Sequence, residues 1–328
     1  MKGGDNMSRI KVQSQAQKAE RSQVRAAIGI DGLSGDGKTG LALALAYYLS
    51  DEDWEKVYMN DTENQSSKLY VGKTLHTGDK VGKFWYNFLN NETGYSPFNY
   101  EFLRSEAINL KCKAYIQDSY SHAWFREGGV LDTKSKVETG PDRRYSDSYR
   151  AWGHPDVADG KNLLFDLIRS DKIHMISTIR IKEAYILEAD ENGKTKVKSL
   201  GEKQITSEGL TYEFDLLIRL IEPGTSDGKP PIVEILKSRY ELFDKGQKYE
   251  MTKSLMLQLK EYLEQGTSIE ELNERTRLEL VESIKERATN NQNLMMLYKN
   301  TYPDQKVSDL SLEQLKDINS KFIEIEYE

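Results

Sequence analysis

The chain has 328 residues, a formal net charge of -7 and 38% hydrophobic content, with a pI near 5.4 and a mean hydropathy of -0.69. That length suits one large α/β domain with a smaller appendage. No apolar run approaches the ~20 residues of a membrane span, the single cysteine, Cys112, excludes an internal disulfide framework, and the acidic balance argues against coating nucleic acid by bulk charge alone.

Residues 1–21 are polar, rich in Lys, Gln, Ser and Arg, and lack both a period and a secretory apolar stretch. They read as a tail on a soluble, cytoplasmic protein. Val24 to Ile30 reads as a buried strand, followed by a Gly-rich turn and an Ala/Leu-dense helix over Leu41–Leu49. Lys56–Asn60 is a second short strand that runs into Asp61-Thr62-Glu63. Between residues 64 and 100 the composition is mixed and aromatic, with a helix predicted over Val81–Leu89. Asn99–Leu110 reads as a helix leading to the strand Lys113–Gln117, which ends at Asp118. Residues 126–160 carry many Gly, Asp, Lys, Arg and Ser and read as a long loop, a feature usually functional or mobile.

A helix over Leu163–Ser170 then feeds the strand Ile173–Thr178. Ala184–Glu188 and Thr195–Leu200 flank an Asn192-Gly193 turn, a hairpin signal. Phe214–Leu220 and Ile232–Leu236 are two further strands. Alternation of strand and helix predicts a mainly parallel sheet with hairpins at one edge. Beyond residue 252 only helices are expected, over Ser268–Ala288, Asn291–Lys299 and Ser311–Phe322, the last with an imperfect capping box at its start. The division is therefore a tail (1–21), an α/β core (22–252) and a helical region (253–328).

Gly32-Leu33-Ser34-Gly35-Asp36-Gly37-Lys38-Thr39 matches G-x-x-x-x-G-K-[ST] in full, with a strand before it and a helix after it. Glycines let such a loop turn several backbone N–H groups toward one phosphate, and the helix that follows adds the positive end of its dipole. The stretch Gly32, Ser34 to Thr39 and Gly40 is the candidate cradle for a nucleoside triphosphate such as ATP. Lys38 would supply charge to the β and γ phosphates, and Thr39 would ligate Mg2+. Asp118, at the end of a later strand, is the candidate second magnesium ligand. Glu63 stands where a carboxylate could polarise an attacking water. A solvated acidic loop is the alternative there, and spacing alone leaves both open. The four histidines, His76, His122, His154 and His174, have no metal-ligand spacing, so no zinc site is expected.

Over residues 24–252 these segments resemble the phage-encoded P-loop ATPases with a RecA-like core, a group that includes the ATP-dependent single-strand-annealing recombinases found beside phage single-strand-binding proteins. The resemblance rests on Gly32–Thr39, on Asn60-Asp61-Thr62-Glu63, and on Asp118-Ser119-Tyr120-Ser121-His122-Ala123-Trp124 followed by Gly128-Gly129. It continues in Ser177-Thr178-Ile179-Arg180-Ile181-Lys182, Glu208-Gly209-Leu210-Thr211-Tyr212-Glu213-Phe214-Asp215 and Lys237-Ser238-Arg239. It implies that Glu63 is the catalytic glutamate, that Thr178 senses the γ-phosphate, and that Lys237 and Arg239 enter the neighbouring subunit's site in a ring or filament.

The resemblance further implies that the loops after Asp118 and Thr178 face nucleic acid. The first holds Lys134, Lys136, Arg143, Arg144 and Arg150 among Tyr145, Tyr149 and Trp152. The second holds Arg180 and Lys182, then Lys194, Lys196, Lys198 and Lys203. Cations beside aromatics suit single strands, and a solvated surface is the alternative. His122 and Trp124 are expected to pack behind the site. The chain departs from the family at Ser207, where an arginine is usual, at Gln117, where Ile or Val is usual, and at Phe125-Arg126-Glu127. The expected function is an ATPase in recombination or annealing, multimeric on single-stranded DNA, with a single-strand-binding or other recombination protein as a candidate partner. The alternative is a KaiC-like switch that uses nucleotide to gate protein contacts without nucleic acid.

Overall fold

A computed structural model describes residues 18–189 and 195–327. The described chain divides into two compact units, one over 24–263 and the other over 264–327 with residues 18–23.

The larger unit is an α/β layer structure around a mixed, mostly parallel sheet. Its strands are β1 (Ala27–Gly32), β2 (Val57–Asp61), β3 (Trp85–Phe88), β4 (Ala114–Asp118), β5 (His174–Ala189), β6 (Thr195–Gln204), β7 (Leu216–Glu222), β8 (Ile232–Ser238) and β9 (Lys248–Glu250). The spatial order is β3-β2-β4-β5-β1-β7-β8-β9, with β6 paired to β5 alone. From β3 to β7 all neighbours are parallel, whereas β8 and β9 add antiparallel strands at one edge.

Both faces of the sheet are covered by helices, so its strands are apolar on both sides. Ile28, Ile30, Val57 and Met59 face one layer, while Ala27 and Tyr58 face the other. This is the period-two alternation of a strand with two buried faces. The first layer is α1 (Lys38–Leu49) together with α6 (Lys253–Leu263). Every α1 position from Leu41 to Ala46 is buried, because the helix lies between the sheet and α6. A helix apolar all round requires such cover. The opposite layer holds α2 (Pro97–Asn109), the short α3 (His122–Phe125), α4 (Val130–Glu138) and α5 (Pro155–Asp166).

Four expectations change. The segment expected to be helical over Val81–Leu89 contains strand β3, aligned parallel with β2 from Tyr58↔Trp85 to Asp61↔Phe88. The loop expected over 126–160 contains α4 and the first half of α5. The strand expected to end at Thr178 continues without a break into the first arm of the hairpin, as β5; the Asn192-Gly193 turn lies outside the described residues. The expected core ended at residue 252, but Met256, Leu259 and Leu263 of α6 are buried in the core beside α1.

The smaller unit packs α7 (Ile269–Asn290), α8 (Gln292–Thr301) and α9 (Leu312–Tyr327) around Ile284, Leu294, Leu315, Ile318 and Phe322. Leu280, Val281, Ile284 and Ala288 recur at helical spacing and give α7 one apolar face. Ser268 accepts from the Glu271 N–H to cap α7. At α9 the box read as imperfect is complete: Ser311 Oγ accepts from the Gln314 N–H, and Gln314 Oε1 accepts from the Ser311 N–H. No helix among the described residues is long and apolar enough to cross a membrane.

Candidate functional site at the carboxyl ends of the parallel strands

Parallel strands bring their carboxyl ends to one edge of a sheet, the usual position of a ligand crevice in open α/β folds. Here that edge gathers Gly32 from β1, Asp61 from β2, Asp118 from β4 and Arg180 from β5. The pairs Gly32↔Arg180 and Asp61↔Asp118 are in direct register. The Gly32–Thr39 segment joins β1 to α1 at this edge. Gly35 and Gly37 both have φ of 90°, a left-handed conformation that a side chain would strain. The α1 N-terminus has no side-chain cap and no acid in its first turn, so its first N–H groups and its dipole are open to an anion. Asp36 accepts from the Leu33 N–H at 2.6 Å and closes the turn, while Gly40 lies against the Tyr70 ring.

Lys38 is buried and turned back on its own loop, with Nζ donating to the carbonyls of Gly32 at 2.9 Å and Leu33 at 2.5 Å. Burial lowers its pKa, against the pull of Asp118, Asp36 and Glu63. Asp118 is 3% exposed and accepts from two hydroxyls, Thr39 and Thr178, each at 2.5 Å. Burial raises its pKa, against those two hydrogen bonds. One hydroxyl and one carboxylate are hard oxygen donors of the kind magnesium takes when phosphates and water complete its shell. Thr39 and Asp118 therefore fit the implied ion. Among the described residues no group of three His, Cys, Asp or Glu side chains could hold a metal ion without such help.

Glu63 follows β2 and is positioned by Asp61, whose carboxylate accepts from the Glu63 N–H at 2.7 Å and from the Ser67 N–H and hydroxyl. Its own carboxylate is gripped at both oxygens by the Arg180 guanidinium, with Nε to Oε1 at 2.9 Å. Beneath it Thr62 Oγ1 accepts from the Ser119 N–H at 2.6 Å and meets His122 Nδ1 at 2.7 Å. His122 Nε2 stands 3.9 Å from Glu63 Oε1 and has no hydrogen-bond partner. Burial, with Arg180 and Arg126 acting the same way, depresses the His122 pKa to about 3. The ring is therefore neutral, and the two side chains are neighbours rather than an ion pair.

Lys237 and Arg239 are not brought to this edge. Because β8 runs antiparallel, Lys237 is level with Leu217, which is level with Gly29. The Arg239 N–H bonds Asp215, whose own N–H bonds Ala27. From Ala27 to Gly32 a strand climbs roughly 17 Å at about 3.3 Å per residue. At this far end Lys237 Nζ donates to the carbonyls of Tyr212 and Phe214, and Arg239 lies 3.4 Å from the Asp215 carboxylate. Arg169 bonds the same carboxylate at 2.9 Å, a partner that no spacing in the sequence reveals. Burial raises the Asp215 pKa, against all three cations.

The residues expected to face nucleic acid divide in two. Lys134, Lys136, Arg144 and Arg150 each pair with a nearby acid: Glu138, Asp132, Asp142 and Asp147. Most of these pairs are exposed and worth little, so phosphates could displace them. Tyr149 is 88% exposed. Trp124, expected to pack behind the site, packs against the core of this layer and also stacks on Trp152, with centroids 5.9 Å apart. Lys134 and Lys161 lie over the Trp152 ring. Both indoles line a cavity of about 650 Å3 with Lys161, Lys182 and Lys203. Lys194 lies outside the described residues, as do the side chains of Lys196 and Lys198. Gln117, out of place in an apolar strand, donates to the Leu167 carbonyl and to Ser177 Oγ, tying β4 to the end of α5 and to β5.

Neither a family model nor a curated protein matches the chain.

Proposed function

We propose that the protein is a magnesium-dependent ATPase with a RecA-like P-loop core, acting in recombination or strand annealing as a multimer on single-stranded DNA. The observation that carries this reading is the convergence, at one sheet edge, of the Gly32–Thr39 loop with Glu63, Asp118 and Thr178. Residues far apart in sequence meet there, and their chemistry is of the kind that phosphoryl transfer to water uses. Loop N–H groups and the α1 dipole would cradle the phosphates, and Lys38 would leave the Gly32 and Leu33 carbonyls to meet them. Thr39 and Asp118 would hold magnesium, which supplies charge neutralisation on the phosphates. Glu63 would take the proton of the attacking water. Lys237 and Arg239, remote from their own chain's loop, would serve a neighbour's site.

Contact with single strands is supported by the Trp124–Trp152 pair and the lysines around it, since stacked aromatics beside cations bind bases and backbone together. Hydrolysis by purified protein, measured with and without single-stranded DNA across a salt series, tests both halves. The expected result is magnesium-dependent hydrolysis, stimulated by single strands and falling steeply with salt. Hydrolysis without retention of single strands at low salt would remove the nucleic-acid half. No hydrolysis of any nucleoside triphosphate would remove the whole reading.

A second reading, a nucleotide switch that gates protein contacts, draws support from the smaller helical unit, which has a core of its own. Nucleotide-dependent capture of a protein partner in nuclease-treated samples would favour it.

A further inference from the structure

The Glu63–Arg180 pair presents a chemical difficulty that points to its role. A general base needs a free carboxylate oxygen facing water, yet both Glu63 oxygens are taken by one guanidinium. Arg180 is also well placed to leave. It is level with Gly32, where the loop begins, and its charge is felt at the Lys38 ammonium. Its backbone is fixed on both sides, by the Ser121 hydroxyl on the N–H at 2.9 Å and by the Ile205 N–H on the carbonyl at 2.7 Å. Only the side chain is left to move. The pair is a little over a quarter exposed, at 29% and 27%, so water can assist its opening. A guanidinium fork matches a phosphate as well as a carboxylate.

We propose that Arg180 discriminates the terminal phosphate of a nucleoside triphosphate: it holds Glu63 when that phosphate is absent and transfers to the phosphate when it is present, freeing the Glu63 carboxylate. The inference rests on the ATPase reading and deepens it. With the guanidinium gone, Glu63 accepts the proton that water loses as its oxygen bonds to phosphorus and the diphosphate oxygen leaves. His122, neutral and with an unpartnered Nε2 beside Glu63, remains as the carboxylate's neighbour. A diphosphate reaches the loop without offering Arg180 a new partner, so the base stays held. Arg180 is thus a specificity and positioning residue, in place of the nucleic-acid contact that its basic neighbours imply.

The test is equilibrium binding of a fluorescent diphosphate and a fluorescent non-hydrolysable triphosphate to the full chain, followed by anisotropy. Wild-type protein, Arg180→Gln and Arg180→Lys are compared, with thermal unfolding of each. Wild type is expected to prefer the triphosphate. Arg180→Gln should reduce that preference about tenfold while diphosphate affinity stays within about twofold, and Arg180→Lys should fall between, keeping the charge but not the fork. An unchanged preference in Arg180→Gln overturns the proposal, as does an equal loss of both affinities. Wild-type protein that binds neither nucleotide fails differently, because it removes the ATPase reading and this inference with it.

Discussion

The two ends of strand β1 carry charge clusters of opposite character. At the Gly32 end, Asp118, Glu63, Asp61 and Asp36 surround two cations, Lys38 and Arg180, and three donors there rest on partners that a ligand could replace. Lys38 rests on loop carbonyls, Thr39 on Asp118, and Arg180 on Glu63. At the Ala27 end, Arg169, Lys237 and Arg239 crowd one half-buried carboxylate, Asp215. The first end has a cradle but few cations for a polyphosphate. The second has cations to spare and no cradle. Two copies of the chain, meeting with the second end of one against the first end of the other, would complete what neither end holds alone.

The largest effect should come from the cradle. Lys38→Ala is expected to reduce ATP hydrolysis by roughly a hundredfold or more, by removing the charge that in the proposed reading meets the transferred phosphate. Its circular dichroism should match wild type, since Lys38 donates only to the carbonyls of its own loop. Persistent hydrolysis would mean that the loop is not the phosphate site. The far end should matter almost as much for rate but not for binding. Arg239→Ala is expected to lower hydrolysis roughly a hundredfold with the triphosphate Kd within about twofold for the isolated chain. If binding and rate fall together at high dilution, the two ends are not separate half-sites.

The third prediction concerns stability and spares the comparison. Burial holds His122 and His174 near a pKa of about 3, below the ordinary value of 6.5 in the unfolded chain. The unfolded state then binds more protons as pH falls through 6.5, so stability is full above that value and declines toward pH 3. Each histidine should contribute a slope of about 1.4 kcal/mol per pH unit. Urea unfolding at pH 7.5, 6 and 5 checks this. A midpoint that is flat across that range in wild type would contradict the buried neutral histidines.

How much of this was legible in the sequence follows from how local each feature is. The Gly32–Thr39 turn, the apolar strands around it and Asp118 at a strand end are written in neighbouring residues, and the structure has them there. Strand β3 was not, because Val81–Leu89 is apolar without a period, and its pairing with β2 decides the matter; the aromatic run Trp85-Tyr86 was the available signal. Helix α4 hid in polar composition, with only Val130 and Lys134 buried along it. Asp61-Thr62-Glu63 could have suggested an Asp-capped turn. The Arg180–Glu63 pair could not have been read, since its members stand 117 positions apart and each had a simpler local explanation. Arg169 joins Lys237 and Arg239 only through the shared Asp215. Local chemistry was visible, and charge pairing across the sheet was not.

The most direct test of a site shared between copies mixes two failures. Lys38→Ala keeps the far-end cations, and Arg239→Ala keeps the cradle. Co-expressed as a mixed assembly, they should form some interfaces with an intact cradle facing an intact Arg239. With random pairing about a quarter of interfaces qualify, so hydrolysis should recover to about that fraction of wild type. A mixed assembly no more active than either variant alone would contradict the account.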